Sequence, residues 1–167
     1  MIYRKLLTLS LCVAVSFTVA CESDENNNIA QAETCINENA NNVTGIASCA
    51  SFLDGLNSPR AKTLLCSITL TSSGLSNKRI LSAVEVVGDD SVNDKELQFM
   101  TLIALNSGAN ADKVPTVCSG TDSPGMEFLA NASRMGTELA LIGGIDLTTI
   151  DEDRTFSAGE LNDIVDN

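Results

Sequence analysis

Histidine and tryptophan are absent from this chain of 167 residues, and its single tyrosine is Tyr3. Without histidine the chain cannot form a Ser-His-Asp or Cys-His catalytic group, and metal sites built on imidazole are excluded as well. The five phenylalanines are the only other aromatic side chains, which leaves little for stacking on bases or sugars. We therefore predict a protein that is not an enzyme, although carboxylate chemistry remains open.

Positive charge is also scarce. The sequence has 10 Lys and Arg against 22 Asp and Glu, so its formal net charge is −12. A field of this sign repels phosphate backbones and favours solubility. Nucleic acid is therefore not expected as a partner.

Long apolar runs are missing except near the N-terminus. There Arg4 and Lys5 precede a mainly apolar stretch over residues 6–17, and the chain becomes polar from Glu22 onward. The stretch is shorter than the ~20 apolar residues that a membrane-spanning helix needs. A cationic start, a short apolar core and small residues before a cleavage point are typical of a secretory signal. We predict a signal peptide over residues 1–20.

The end of this signal carries a second feature. Val19-Ala20-Cys21 is followed by Glu-Ser-Asp and resembles the lipobox of bacterial lipoproteins. The resemblance implies a lipid on Cys21 and attachment to the outer membrane, facing the periplasm or the exterior. Thr18 stands where that family prefers Leu, Val or Ile, so plain secretion stays open as the alternative. The polar residues that follow predict a flexible tether, which we place with its anchor cysteine over residues 21–41.

Four cysteines remain beyond the signal and anchor: Cys35, Cys49, Cys66 and Cys118. An even number in an exported chain predicts two disulfides, and the absence of a C-x₂-C motif argues against zinc. Cys49 and Cys66 are equidistant from a turn signal near residue 57. We therefore predict the pair Cys49–Cys66 across a helical hairpin, with Cys35–Cys118. The alternative is Cys35–Cys66 with Cys49–Cys118.

The rest of the chain has the apolar spacing of helices. Apolar residues recur every three or four positions, which predicts an all-α domain over residues 42–167. Serine caps, helix-start prolines and terminal glycines mark the boundaries. The predicted helices run from Val43 to Leu56, from Pro59 to Gly74, from Ser76 to Gly88, from Ser91 or Asn93 to Asn106, from Ser123 to Gly143, and from Ser157 onward. Residues 106–125 predict a long loop with, at most, a short helical turn.

The segment from residue 43 to residue 87 resembles tetratricopeptide-type repeats. Antiparallel helical neighbours, small residues at packing positions and Pro59 at a helix start carry the resemblance. It implies antiparallel helical hairpins, TPR-like or in an irregular bundle, with a groove that binds a protein or a small ligand. In the third predicted helix, from Ser76 to Gly88, we expect the apolar face to consist of Ile80, Leu81, Val84 and Val87.

The C-terminal region contains one segment with cation-binding character. Residues 149–160 resemble an EF-hand loop, with oxygen-bearing side chains at the positions that supply calcium ligands: Thr149, Asp151, Asp153, Thr155, Ser157 and Glu160. Thr149 stands in place of the usual Asp, and Arg154 in place of the turn glycine. The other interpretation is a solvated acidic loop in which Ser157 and Glu160 cap a helix. We expect no cofactor, with calcium as the one alternative.

Overall fold

The computed structural model describes residues 24–40, 42–92 and 94–150, together with Gly159. Every regular element in these residues is helical, and the prediction of an all-α fold with two disulfides is confirmed. The elements are α1 over residues 24–38, α2 over Val43–Ser48, a first 3-10 turn over Cys49–Leu53, α3 over Pro59–Ser72, α4 over Asn77–Gly88, α5 over Lys95–Leu102, α6 over Gly108–Cys118, α7 over Pro124–Ile142 and a second 3-10 turn over Leu147–Thr149.

Local capping explains where α3 and α4 begin. The Ser58 hydroxyl accepts a 3.3 Å hydrogen bond from the backbone N–H of Ala61, and the Ser76 hydroxyl accepts one of 3.2 Å from that of Arg79. Each bond satisfies an N–H that the first helical turn leaves without a backbone partner. At the other end of α3, Gly74 has a φ of 96° and reverses the chain. These three boundaries agree with the sequence prediction.

The predicted tether is the first point at which the structure differs. From residue 24 onward this segment is helix α1. Ile29 and Ala32 lie one helical turn apart and are buried against Ile46 and Leu53. Two well-placed apolar side chains, with a disulfide nearby, are enough to order a segment whose average composition is polar, because tertiary packing supplies most helical stability. The helical domain therefore begins before residue 42.

The predicted loop over residues 106–125 is the second correction. Most of it is helix α6, which starts at a Ser107 cap and contains Pro115. Ala111, Val114 and Cys118 are buried on one face at three- and four-residue spacing. The Gly, Asn and Pro content suggested a loop, but this buried face decides the local structure. Smaller differences are that the predicted first hairpin helix ends as a 3-10 turn and that α5 ends at Leu102.

Both predicted disulfide pairings are wrong. The bonds join Cys35 to Cys49, with their Cα atoms 5.7 Å apart, and Cys66 to Cys118, with theirs 4.7 Å apart. The reason lies in the two unpredicted helices. Helix α1 brings Cys35 beside the first 3-10 turn, and α6 packs against α3 so that Cys118 meets Cys66.

Two apolar clusters form the core, and α3 contributes to both. Ala61 and Ile68 of α3 join the smaller cluster, with α1, α2 and the first 3-10 turn. Cys66 and Leu70 join the larger cluster with α5, α6 and α7. Helix α7 packs on α5 and α6, whereas α4 packs mainly on α5. Helix α4 is therefore left at the edge of the bundle.

Candidate docking surface

Helix α4 exposes an apolar face to solvent. Arg79 and Ala83 are its buried residues, whereas Leu81, Val84 and Val87 are 63%, 59% and 52% exposed. We call these three side chains the α4 surface. The sequence correctly predicted their common face, but not its orientation, because only Ile80 of the predicted set packs against the core. Three of the four residues of the predicted apolar face therefore lie in solvent.

The orientation of α4 is fixed by Arg79, which is only 3% exposed. Its Nε and Nη2 donate to the carbonyl oxygen of Leu102 at 3.1 and 2.7 Å, and Nη2 also donates to that of Ala104 at 2.7 Å. Its Nη1 donates to the carbonyl oxygen of Gly74 at 2.7 Å. These oxygens lie at the C-terminal ends of α3 and α5, where helix dipoles favour a cation. With Arg79 turned inward, Leu81, Val84 and Val87 point outward.

Negative charge borders the C-terminal end of the α4 surface. Glu85, Asp89 and Asp90 are exposed there, and we call them the acidic rim. The Asp89 Oδ1 accepts hydrogen bonds from the hydroxyl and the backbone N–H of Ser91, at 2.6 and 2.8 Å. Both bonds lower the pKa of Asp89 below its ordinary value, and the bond from the hydroxyl has the larger effect. This carboxylate therefore stays charged at neutral pH.

One cation offsets part of the acidic rim. The Lys95 Nζ lies 2.8 Å from the Asp90 Oδ1. The last carbonyl groups of α4 add partial negative charge at the same end, and the final turn of the helix has no basic residue. The α4 surface thus combines three apolar side chains with a negative border at one end.

A concave feature lies between α1 and the first 3-10 turn. It is an open cleft of about 410 Å³ beside the Cys35–Cys49 disulfide. Its lining is mostly apolar, with a few polar groups: Ala30, Gln31, Thr34, Cys35, Glu38 and Phe52. The volume suits a small molecule. Glu38 is its only charged side chain and is exposed, so no buried polar group is present to orient a ligand.

Only some of the site residues predicted from the sequence lie in the described part of the chain. Cys21 lies outside the described residues, as do five of the six calcium-ligand candidates: Asp151, Asp153, Thr155, Ser157 and Glu160. Thr149 lies in the second 3-10 turn, where its hydroxyl donates to the carbonyl oxygen of Asp146 at 2.8 Å. The calcium site therefore stays a prediction. Calorimetry that detects no heat of binding at millimolar calcium would contradict it.

The four paired cysteines have a structural role. Cys49, Cys66 and Cys118 are fully buried, and each pair joins two helical elements. Within residues 24–40, 42–92 and 94–150, no three Cys, Asp or Glu side chains are grouped closely enough to hold a metal ion.

Comparison of the chain with protein-family models, with curated proteins and with solved structures gives no match. Among the described helices, none combines the length and the apolar character needed to cross a bilayer. The case for a function therefore depends on the surfaces described above.

Proposed function

We propose that this protein is an exported, non-enzymatic helical domain that binds a partner protein through the α4 surface. The observation that carries the proposal is the exposure of Leu81, Val84 and Val87 on one face of a helix fixed by a buried arginine. An apolar patch held in this way is typical of a protein–protein contact, because leaving it in water costs free energy that a partner recovers. The absence of histidine from the whole sequence supports a binding role over catalysis.

The chemistry of the surface defines the partner. Apolar side chains at positions 81, 84 and 87 match a helix that presents its own apolar residues every three or four positions. The acidic rim favours Lys or Arg where the partner crosses the end of α4, since opposite charges speed association and set orientation. The partner is therefore an amphipathic helix with a basic flank.

The two disulfides are typical of an oxidising, extracytoplasmic compartment. Within the proposal, cleavage after residue 20 and a lipid on Cys21 attach the domain to the bacterial envelope. Residue 24 is already helical, so such an anchor holds the domain close to the membrane surface. Palmitate labelling of the intact chain and of Cys21→Ala tests this part. If neither protein takes up the label, the lipid anchor is contradicted and the chain is secreted without one.

The docking proposal is tested with a designed probe. The probe is a helical peptide with leucines at three- and four-residue spacing and lysines on both flanks. A matched peptide carries glutamates in place of the lysines. NMR spectra of the methyl groups should show shifts centred on Leu81, Val84 and Val87 for the lysine peptide and much weaker binding of the glutamate peptide. Shifts centred on another helix, or equal binding of the two peptides, would contradict the proposal.

A further inference from the structure

The two disulfides differ in how far solvent can reach them. Cys49, Cys66 and Cys118 are fully buried, whereas Cys35 is only half-buried. Cys35 also lines the open cleft between α1 and the first 3-10 turn, and its partner Cys49 does not. A thiol exchanges with a disulfide only at a sulfur that it can reach. Cys35 is therefore the cysteine through which a reductant can act, and we call the Cys35–Cys49 bond the α1 disulfide.

Helix α1 has few other attachments to the bundle. Ile29 and Ala32 are its buried residues. Within the described residues, the one polar contact from α1 to another element is the ion pair between Glu33 and Arg60, which is exposed to solvent. Exposed ion pairs stabilise a fold only weakly, and an isolated helix of about 15 residues is marginal in water. The position of α1 therefore depends on the α1 disulfide.

The rest of the bundle does not depend on this bond. The α1 disulfide joins residues 14 positions apart, and a bond across such a loop shifts the folding equilibrium by roughly a hundredfold. The larger apolar cluster and the Cys66–Cys118 bond contain no residue of α1. Loss of the α1 disulfide should therefore release α1 and expose Ile46 and Leu53, which it covers, while α3 to α7 stay folded.

We propose that the α1 disulfide is a redox-controlled attachment. A protein dithiol of the thiol–disulfide oxidoreductase class enters the cleft, reduces the bond through Cys35 and releases α1 from the bundle. In an oxidising compartment the bond persists until such a reductant reaches it. This site shares no residue with the α4 surface, so the proposal does not depend on the docking proposal.

The chemistry of the cleft suits a reacting protein better than a bound small molecule. It has no buried polar group to orient a ligand, but Cys35 places a reactive bond at its wall. Phe52 and the other apolar lining atoms offer a loop of the reductant a surface to pack against. The volume of about 410 Å³ accommodates a cysteine together with its neighbouring side chains.

The exchange takes place in two steps. A thiolate of the reductant first attacks the Cys35 Sγ and forms a mixed disulfide, and Cys49 leaves as a thiolate that takes up a proton. The second thiolate of the reductant then attacks its own sulfur in the mixed disulfide and releases Cys35, which also takes up a proton. The reductant ends as a disulfide, and this chain gains two electrons and two protons. The Asn39 Nδ2 donates to the Cys35 Sγ at 3.8 Å, which stabilises the thiolate released in the second step.

Trapping of the mixed disulfide tests the site of attack. The probe is a purified oxidoreductase with a Cys-X-X-Cys motif whose second cysteine is replaced by serine, so that the second step cannot occur. An excess of the probe is mixed with the intact oxidised chain, the reaction is quenched with acid, and mass spectrometry locates the adduct. Adducts at Cys35 should exceed those at Cys66 and Cys118 by at least about tenfold. The absence of any adduct, or adducts mainly at another cysteine, would overturn the proposal.

A pair of matched variants tests the role of the cleft. Ala30 is an exposed alanine that lines it, and Ala109 is an exposed alanine of α6. Ala30→Trp should fill the cleft and slow adduct formation by about tenfold, whereas Ala109→Trp should leave the rate unchanged. Equal rates in the two variants would contradict entry through the cleft.

Hydrogen exchange tests the release of α1. It is measured on the intact chain after reduction by the unmodified oxidoreductase, and on the double variant Cys35→Ser with Cys49→Ser. In both, amides of α1 should exchange at least about tenfold faster than in the oxidised chain, while amides of α3 and α7 keep their rates. The proposal is overturned if α1 keeps its protection, or if all helices lose protection together.

Discussion

Arg79 and Leu102 are joined by two hydrogen bonds, from Nε at 3.1 Å and from Nη2 at 2.7 Å, to one carbonyl oxygen. The same guanidinium binds the carbonyl oxygens of Gly74 and Ala104. One buried side chain thus ties the C-terminal ends of α3 and α5 to α4. This contact links the stability of the bundle to the orientation of its candidate docking surface.

The first prediction concerns this arginine. Arg79→Met should lower the free energy of unfolding by about 3 kcal/mol, because two buried carbonyl groups and one partly buried carbonyl group lose charged donors. Arg79→Lys should recover only part of the loss, since a single ammonium group cannot reproduce the planar fork of donors. Urea unfolding measures both. Arg60→Met is the control: Arg60 pairs with Glu33 at 2.7 Å on the surface, and its loss should cost less than about 1 kcal/mol.

The second prediction concerns the crossing of α5 and α7. Gly136→Ala should destabilise the protein by about 3 kcal/mol, because the new methyl group would overlap the Met100 carbonyl oxygen and push the helices apart. Gly125→Ala, in the first turn of the same helix, has open space around the new Cβ. It should be neutral or stabilising by up to about 1 kcal/mol. Equal thermal shifts for the two variants would show that the helices do not approach this closely.

The third prediction separates the two disulfides. Replacing Cys66 and Cys118 by alanine should cost about 4 kcal/mol, and replacing Cys35 and Cys49 about 3 kcal/mol, because a bond that closes a longer loop restricts the unfolded chain more. The sequence separations are 52 and 14 residues. Mild reductant should open Cys35–Cys49 first, since Cys35 is only half-buried beside the open cleft. Faster reduction of the Cys66–Cys118 bond would contradict this order.

The fourth prediction is a pH dependence at Asp89. Its lowered pKa means that ionised Asp89 favours the folded state. This contribution is present above its ordinary pKa of 3.8 and is lost as the pH falls through the lower value in the folded protein. Ser91→Ala should raise the pKa of Asp89, because the hydroxyl bond is its largest cause. An NMR titration of the side-chain carboxyl carbons measures the change, with Ser82→Ala as a control that should leave it unmoved.

Local signals in the sequence account for the parts of the fold that were predicted correctly. The Ser58-Pro59 and Ser123-Pro124 pairs define helix starts through their own backbone preferences, and Gly74 ends a helix because it tolerates a positive φ. None of these features depends on distant residues. The boundaries of α3, α4 and α7 could therefore be read without the tertiary structure.

The remaining features depend on contacts between distant parts of the chain. Helices α1 and α6 contain residues that are typical of loops, Asn in α1 and Gly, Asn and Pro in α6, and packing orders them against α2, α3 and α7. The disulfide pairing follows from those two helices, so it could not be derived while they were interpreted as a tether and a loop.

The α4 surface escaped the sequence analysis for a related reason. The apolar spacing of α4 identified a face, but the rotation of the helix is set by the carbonyl groups that bind Arg79. Those groups belong to residues remote in sequence. The position of Arg79 next to an apolar face was the one available signal that α4 turns a different side toward the core.

The most direct test of the proposed function compares two matched variants in the peptide titration. Val84→Lys changes the centre of the α4 surface, and Met135→Lys makes the same change on α7. The account predicts that Val84→Lys weakens binding of the lysine-flanked peptide by at least about tenfold, a loss near 1.4 kcal/mol, and that Met135→Lys leaves its affinity unchanged. Unchanged affinity in Val84→Lys would contradict the assignment of the docking surface to α4.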